Sequence, residues 1–311
     1  MILLLGLPAD APLAMVHAEL VKQGQPVVLV DQREVLNMEV DVTFGREVTG
    51  TLRIGEQLVD LGSVTAVYLR SYGLDQLPAL RDLDRKSLEW LHAVTVTDTI
   101  SAWTELSSAL VVNRLSAMAS NGSKPFQSRI IHAQGFETPD TLVTTDPDAV
   151  REFWLRCGTV IYKSISGVRS IVSRLTAENA ERLSHLHWCP TQFQQYIPGH
   201  DYRVHVVGGE TFASEIVSEA DDYRYAGRKG HKANLRAWQI PPELARRCRD
   251  LAQTLELPVA GIDLRYHPAG KWFCFEVNPS PAFSYYESET GQPIAAAVAR
   301  FLITGAHALV K

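Results

Sequence analysis

Apolar positions along this chain follow two periods, and the first third of it shows both. "MILLLGL" is a short continuous apolar run and reads as a buried first strand. Residues 11–24 carry helical spacing and stop at Gly24, and "PVVLVD" reads as a second strand. Strand, helix and strand in that order predict a βαβ opening. Its turn, "GLPADAP", lacks the Gly-x-Gly-x-x-Gly spacing that lets a backbone approach a pyrophosphate, which argues against a nicotinamide or flavin site. "TAVYLRSYG" predicts a further strand ending near Arg70. From Lys86 to Leu110 the period changes: Leu88, Leu91, Val94, Ile100, Trp103 and Leu106 fall near helical spacing and predict a long helix that buries that face.

Past that helix the pattern changes again. "ALVVN" is a short strand, "KPFQSRIIHAQG" a helix, and "TVIYKSISG" a strand running into a loop. "TQFQQYIPGHDYRVHVVGGETFASEIV" reads as consecutive strands with a Pro-Gly turn. "PPELARRCRDLAQTLEL" is a helix with proline at its start, and a last helix runs from Pro293 to about Leu302. No internal repeat or low-complexity tract interrupts this order. The expected architecture is an α/β domain over residues 1–110 followed by an α+β body in two lobes, 111–190 and 191–311.

Between the last two helices, "GIDLRYHPAGKWFCFEVNPSP" predicts a hairpin. Ile262, Leu264 and Tyr266 share one strand face, and Asp263 and Arg265 the other. In the second run Phe273, Phe275 and Val277 alternate against Cys274, Glu276 and Asn278. A turn at "HPAGKW" sets Asp263 opposite Glu276. Two facing carboxylates repel by roughly 0.2–1 kcal/mol when exposed, and by more when partly buried. A divalent cation relieves that, and magnesium takes oxygen ligands, so Asp263, Glu276 and Asn278 form a candidate platform for it. The plain alternative is a solvated polar stripe neutralised by Arg265 or Lys271.

Other segments carry similar pairs of readings. Lys124 opens a helix, and Lys163 ends an apolar strand before the Ser/Gly loop "SISGVRS"; either lysine can hold phosphates or be a surface charge. "QFQQYIPG" is a sheet strand or an extended linker offering backbone groups to a purine edge. Asp201 can accept from ribose hydroxyls and Arg203 can hold an anion. "DDYRYAGRKGHKANLR" is locally basic, but Glu215, Glu219, Asp221 and Asp222 surround it. A loop delivering Arg224 to developing phosphate charge fits it better than a nucleic-acid patch. His185-x-His187, beside Trp188, reads as a loop pair and not a metal site.

Composition narrows the class without naming it. The 311 residues are 46% hydrophobic and 21% charged, with a net charge of −5, which gives no general attraction to nucleic acid or anionic lipid. No apolar run approaches the ~18 residues that cross a bilayer. The start lacks a basic leader, so it reads as a strand and not a signal peptide. The four dispersed cysteines, with no Cys-x-x-Cys pair, read as free thiols in a reducing cytoplasm.

The ordered set resembles the ATP-grasp superfamily, in particular RimK-like carboxylate–amine ligases and the microviridin-type peptide maturases. It is carried by "VNRLSAMASNGSKPFQSRII", "GFETPDTLVTT", "IYKSISG", "QQYIPGHDYRVHVVG", "DDYR" and "GIDLR…FEVNPSP", and runs from about residue 111 to the end. The resemblance implies a pre-ATP-grasp α/β domain followed by the two-lobed ATP-grasp fold. It implies that Lys124 and Lys163 bind ATP phosphates, that Gln195, Tyr196 and Ile197 hold adenine through their backbone, and that Asp201 lies near the ribose. Asp263, Glu276 and Asn278 would hold one or two Mg²⁺, and Arg203 and Arg224 would stabilise the transferring group. Many relatives have an acidic residue where Gln195 stands, so a side-chain contact there stays open. The implied activity is an ADP-forming ligase that joins a carboxylate to an amine or hydroxyl through an acyl phosphate, on a peptide or protein and in the cytoplasm. It implies neither a nucleic-acid nor a membrane partner, and leaves self-association open. A regulatory nucleotide-binding protein without ligase activity is the alternative. In the maturases the front domain helps bind the peptide, which would give Arg70 a substrate role in place of a surface ion pair. Ser280, Tyr285 and Tyr286 would line the acceptor side.

Overall fold

The computed structural model describes residues 1–165, 172–217 and 234–309. The chain opens with β1 (Ile2–Gly6), α1 (Ala11–Lys22) and β2 (Val27–Asp31). Asp10 caps α1 by accepting from the Leu13 amide, and Gly24, at φ +67°, takes the left-handed turn that ends it. Three strands follow, β3 (Met38–Phe44), β4 (Val48–Ile54) and β5 (Gln57–Asp60), and they pair into a small antiparallel sheet. Then come β6 (Ala66–Arg70), α2 (Leu88–Leu106) and β7 (Leu110–Val112). The first sheet is parallel, in the order β2-β1-β6-β7. Its strands are continuous apolar runs because both faces are covered. Ile2 and Leu4 face α1 and the C-terminal helix, while Leu3, Leu5 and Val67 face the small sheet and α2.

The long helix is where predicted, and its buried face keeps Ile100 and Trp103 but not the leucines. Ala93, Val96, Ile100 and Trp103 pack inward, whereas Leu88, Leu91 and Leu106 are 82%, 49% and 60% exposed. Small Ala93 lets α2 approach the sheet, and Leu88 and Leu106 lie at its two ends, beyond the core.

Two further sheets make the rest. After α3 (Leu115–Met118) and α4 (Lys124–Ala133) come β8 (Thr141–Thr144), α5 (Pro147–Cys157), β9 (Val160–Ser164), β10 (Ser173–Arg174), α6 (Ala177–Ala180) and β11 (Thr191–Gln195). These four strands pair in the order β10-β9-β11-β8, over a core built on Val150, Phe153, Val160 and Phe193. The last stretch holds β12 (His200–Val207), β13 (Glu210–Val217), β14 (Asn234–Trp238), α7 (Pro242–Thr254), β15 (Val259–Tyr266), β16 (Trp272–Asn278), α8 (Ser284–Thr290) and α9 (Ile294–Leu309). Its sheet runs β14-β13-β12-β15-β16. Leu244, Cys248 and Leu251 of α7 pack on Val204, Val206, Ile262 and Leu264. The predicted consecutive strands therefore belong to two sheets. The Pro198-Gly199 turn after β11 passes the chain from one to the other, and a cleft lies between them. α9 continues past the predicted end at Leu302, and its Val298 and Leu302 share a core with α1 and β1.

Candidate active site

The hairpin β15–β16 builds the polar wall of that cleft. It closes with Tyr266 opposite Trp272, and equal steps from there would set Asp263 against Phe275. A bulge adds one residue to β16, so that Leu264 faces Cys274 and Asp263 faces Glu276. The predicted carboxylate pair is therefore present, but the strict alternation predicted for the second run is not. Cys274 and Val277 are both fully buried, while Phe275 and Glu276 both line the cleft.

Arg203 and Lys124, from other elements, are counter-ions of this pair. Arg203 lies across the ladder from Asp263, and its Nη1 donates to Asp263 Oδ1 at 2.7 Å. Lys124 Nζ, from the start of α4, donates to Glu276 Oε2 at 3.2 Å. Arg265 stands directly opposite Asp201, and its Nε and Nη2 hold that carboxylate at 2.6 and 2.7 Å. Its Nη1 donates to the Ile197 carbonyl at 2.7 Å. Lys271 sits in the turn beyond the paired strands and bonds Glu137 at 2.9 Å. Each carboxylate of the cleft thus meets a cation.

Between the two sheets lies a space of about 790 Å³. Lys163, Gln195, Tyr196, Ile197, Asp201, Asp263 and Glu276, all singled out from sequence, line it together. Ile161, Val172, Ile216, Leu264 and Phe275 supply apolar walls. The linker's Gln195 and Tyr196 amides donate to the Asp140 and Thr159 carbonyls at 2.9 Å each, so two of its three N–H groups already hold the strand. Lys124 and Arg203 reach the cleft through the carboxylates they bond. Asn278 lies opposite Gly261, and its Oδ1 accepts from the Ser280 amide at 2.9 Å. Arg224 and most of the Ser/Gly loop after Lys163 fall outside the described residues.

Several supporting residues escaped the sequence reading. A Cβ on Gly261 would lie 2.1 Å from Arg203 Nη2 and 2.6 Å from its Cζ, so only glycine lets the guanidinium lie across β15. A glycine inside an apolar strand is the signal for such a close approach. Behind Arg203, buried His205 accepts from its Nε at 3.5 Å, while His205 Nδ1 has no partner among the described residues. Burial first, and the Arg203 charge second, hold the His205 pKa well below its usual value, so the ring is neutral. Gln127 of α4 donates to the Val277 carbonyl at 2.8 Å and accepts from its amide at 2.9 Å, in the manner of one more strand. Burial pushes the Cys248 thiol up to about 12 and the Cys274 thiol well above its usual value, so neither offers a thiolate.

The model of the RimK-like ATP-grasp domain matches residues 122–302, more than half of the chain. The chain belongs to the RimK-like ATP-grasp family. A relative, the ribosomal protein bS6–L-glutamate ligase of Escherichia coli, is 26% identical over 209 residues, covering 64% of this chain and 69% of its own. The structure of the ATP-grasp ligase PsnB, complexed with a phosphomimetic variant of its minimal precursor, Mg and ADP, superposes with a TM-score of 0.78 at 27% identity. It covers 100% of this chain and 98% of its own. The macrocyclase MdnC from Microcystis aeruginosa MRC, bound with precursor peptide MdnA, shares the fold at a TM-score of 0.81, 22% identity and coverage of 97% and 99%.

ATP-grasp ligases use ATP and magnesium, and the residues of the cleft fit both. Among the described residues no three His, Cys, Asp or Glu side chains converge. The hairpin offers two facing carboxylates with an asparagine amide two residues on. That donor set suits magnesium when phosphates and waters complete its shell. The apolar walls and the linker suit a flat base.

Proposed function

We propose that this ATP-grasp ligase activates a carboxylate of a peptide or protein as an acyl phosphate and passes the acyl group to an amine or hydroxyl. The observation that carries this reading is the cross-strand Asp263–Glu276 pair, neutralised by Arg203 and Lys124 at the edge of the linker cleft. In this reading Gln195, Tyr196 and Ile197 seat the adenine, Asp201 lies near the ribose, and Lys124 and Lys163 hold phosphates. Asp263, Glu276 and Asn278 would hold one or two Mg²⁺, which would supply positive charge against that of the phosphates.

A substrate carboxylate oxygen attacks the γ-phosphorus, the bond to the β-phosphate oxygen breaks, and ADP departs. The amine or hydroxyl then attacks the acyl carbon and loses its proton, and phosphate leaves. Arg203 takes up charge on the transferring group, and Arg224 is given the same task by family resemblance alone. Because Arg203 and Lys124 are already held by carboxylates, they need small motions to reach phosphate oxygens. Closure of the cleft on substrate would keep water from the acyl phosphate.

A precursor peptide is the favoured substrate, because the likeness to PsnB spans the whole chain. Addition of glutamate to a protein is the second reading, supported by the similarity to the bS6 ligase over about two thirds of the chain. Either reaction belongs in the cytoplasm, where ATP is abundant. The test is the melting shift with ATP, with and without Mg²⁺, for wild type and Glu276→Ala, alongside ADP release with and without a peptide carboxylate. A ligand at about 100 times its Kd adds roughly 2.7 kcal/mol to apparent stability. The reading expects a shift that magnesium strengthens in wild type alone, and ADP release that requires the carboxylate. No response to nucleotide refutes it, and an ATP-induced shift without carboxylate-dependent ADP release favours a regulatory nucleotide binder.

A further inference from the structure

A buried arginine of the N-terminal sheet reaches the turn that follows the hairpin β15–β16. Arg70 ends β6, and its guanidinium is 8% exposed against an Asp10 side chain 5% exposed. Its Nε and Nη2 grip Asp10 Oδ1 and Oδ2 at 2.5 and 3.1 Å. Asp10 is itself fixed, since it accepts from the Leu13 amide at 2.9 Å and from Tyr72 Oη at 2.8 Å. The third guanidinium nitrogen reaches 210 residues along the chain: Nη1 donates to Ser280 Oγ at 3.1 Å and to the Pro281 carbonyl at 3.2 Å. The next link is the Ser280 amide, which donates to Asn278 Oδ1.

We propose that Arg70 is a positioning residue for the metal platform, holding the Ser280 turn, and through it the Asn278 amide, against the N-terminal sheet. This rests on the reading of Asn278 as a magnesium ligand. The segment after β16 needs outside support, because Pro279 and Pro281 have no N–H with which to extend a ladder. Its carbonyls are taken by side chains instead: Asn113 Nδ2 bonds Pro279 at 2.5 Å and Arg70 bonds Pro281. A buried ion pair is a poor source of stability compared with apolar packing, so this one is better understood by where it holds things. Only a planar fork can grip a carboxylate on one side and a turn on the other, which a lysine cannot do.

The test is titration calorimetry of ADP with and without Mg²⁺, which gives the factor by which the metal tightens ADP. Wild type, Arg70→Lys, Ser280→Ala and Glu276→Gln are compared. Lysine keeps the pair with Asp10 and so the fold, but gives up the turn. Groups that orient a metal ligand change metal affinity by about 10–100-fold. The metal factor should therefore fall about tenfold in Arg70→Lys and a few-fold in Ser280→Ala, with metal-free ADP binding unchanged, and vanish in Glu276→Gln. A factor lost in Glu276→Gln but intact in Arg70→Lys overturns the positioning role alone. A factor intact in Glu276→Gln overturns the platform and this inference together. If Arg70→Lys does not fold, Ser280→Ala decides, since it leaves the Asp10 pair whole, and an unchanged factor there overturns the proposal.

Discussion

Around the cleft, Arg203–Asp263, Lys124–Glu276 and Arg265–Asp201 are ion pairs in which each carboxylate side chain is 20–24% exposed. The Arg70–Asp10 pair has similar contact distances but almost no exposure on either side. The same chemistry serves two ends. A partly hydrated pair can exchange a partner for a phosphate or a metal at modest cost. A fully buried one cannot release a partner without stranding a charge, so it can only hold. Separating the pairs by mutation tests that difference.

The largest effect is expected at the buried pair. Asp10→Ala strands the Arg70 guanidinium and removes the cap of α1. Loss of one partner of such a pair costs about 3–5 kcal/mol, read as a fall in the denaturant midpoint. Asp201→Ala, on the cleft side, should cost about 1 kcal/mol, nearer the value of an exposed pair. Equal losses would break the distinction between holding and exchanging pairs.

Gly261→Ala sharpens the comparison from within the cleft. The new methyl must displace Arg203 from Asp263, and overpacking alone costs about 1–3 kcal/mol. Turnover should fall about a hundredfold, near 2.7 kcal/mol in barrier, with the KM for ATP little changed. A rise in KM with kcat intact would instead place Arg203 in nucleotide binding and not in the transfer step.

These residues also show what could be seen in the sequence. That Asp263 faces Glu276 was legible, though from a turn one residue too long: Trp272 pairs with Tyr266, and a bulge restores the register. The bulge was not legible, because nothing in "KWFCFEVN" announces an extra residue. Leu88 and Leu106 were assigned to the buried face of α2 because spacing gives a direction but not the extent of the core, which Ala93 reveals only once packed. The sheet β3–β5 passed unnoticed although Val40, Val42, Leu52 and Ile54 alternate; polar residues between them masked the pattern. Gly261 and Arg70 take their meaning from partners one strand and 210 residues away. Pairings of that kind lie beyond any reading of local period.

The smallest predicted effect separates two groups by pH. Burial opposes the Asp10 charge, but the Arg70 hydrogen bond and charge, with Leu13 and Tyr72, outweigh it and leave the carboxyl below its usual 3.8. Its contribution is therefore complete above about pH 4 and lost only as pH falls further. His205 is also depressed, from 6.5, but as a base held neutral. Below pH 6.5 the unfolded chain binds a proton that the folded chain refuses, so stability falls with pH toward the folded value, by at most about 1.4 kcal/mol per unit for one proton. Above pH 6.5 the ring contributes no pH dependence. His205→Gln should thus melt with a shallower decline than wild type between pH 6.5 and 5, and Asp10→Asn should leave that slope unchanged. Parallel slopes for wild type and His205→Gln would mean that the ring takes a proton in the folded state. Arg203 would then lose the acceptor at its Nε, and the cleft pairs would be set by the carboxylates alone.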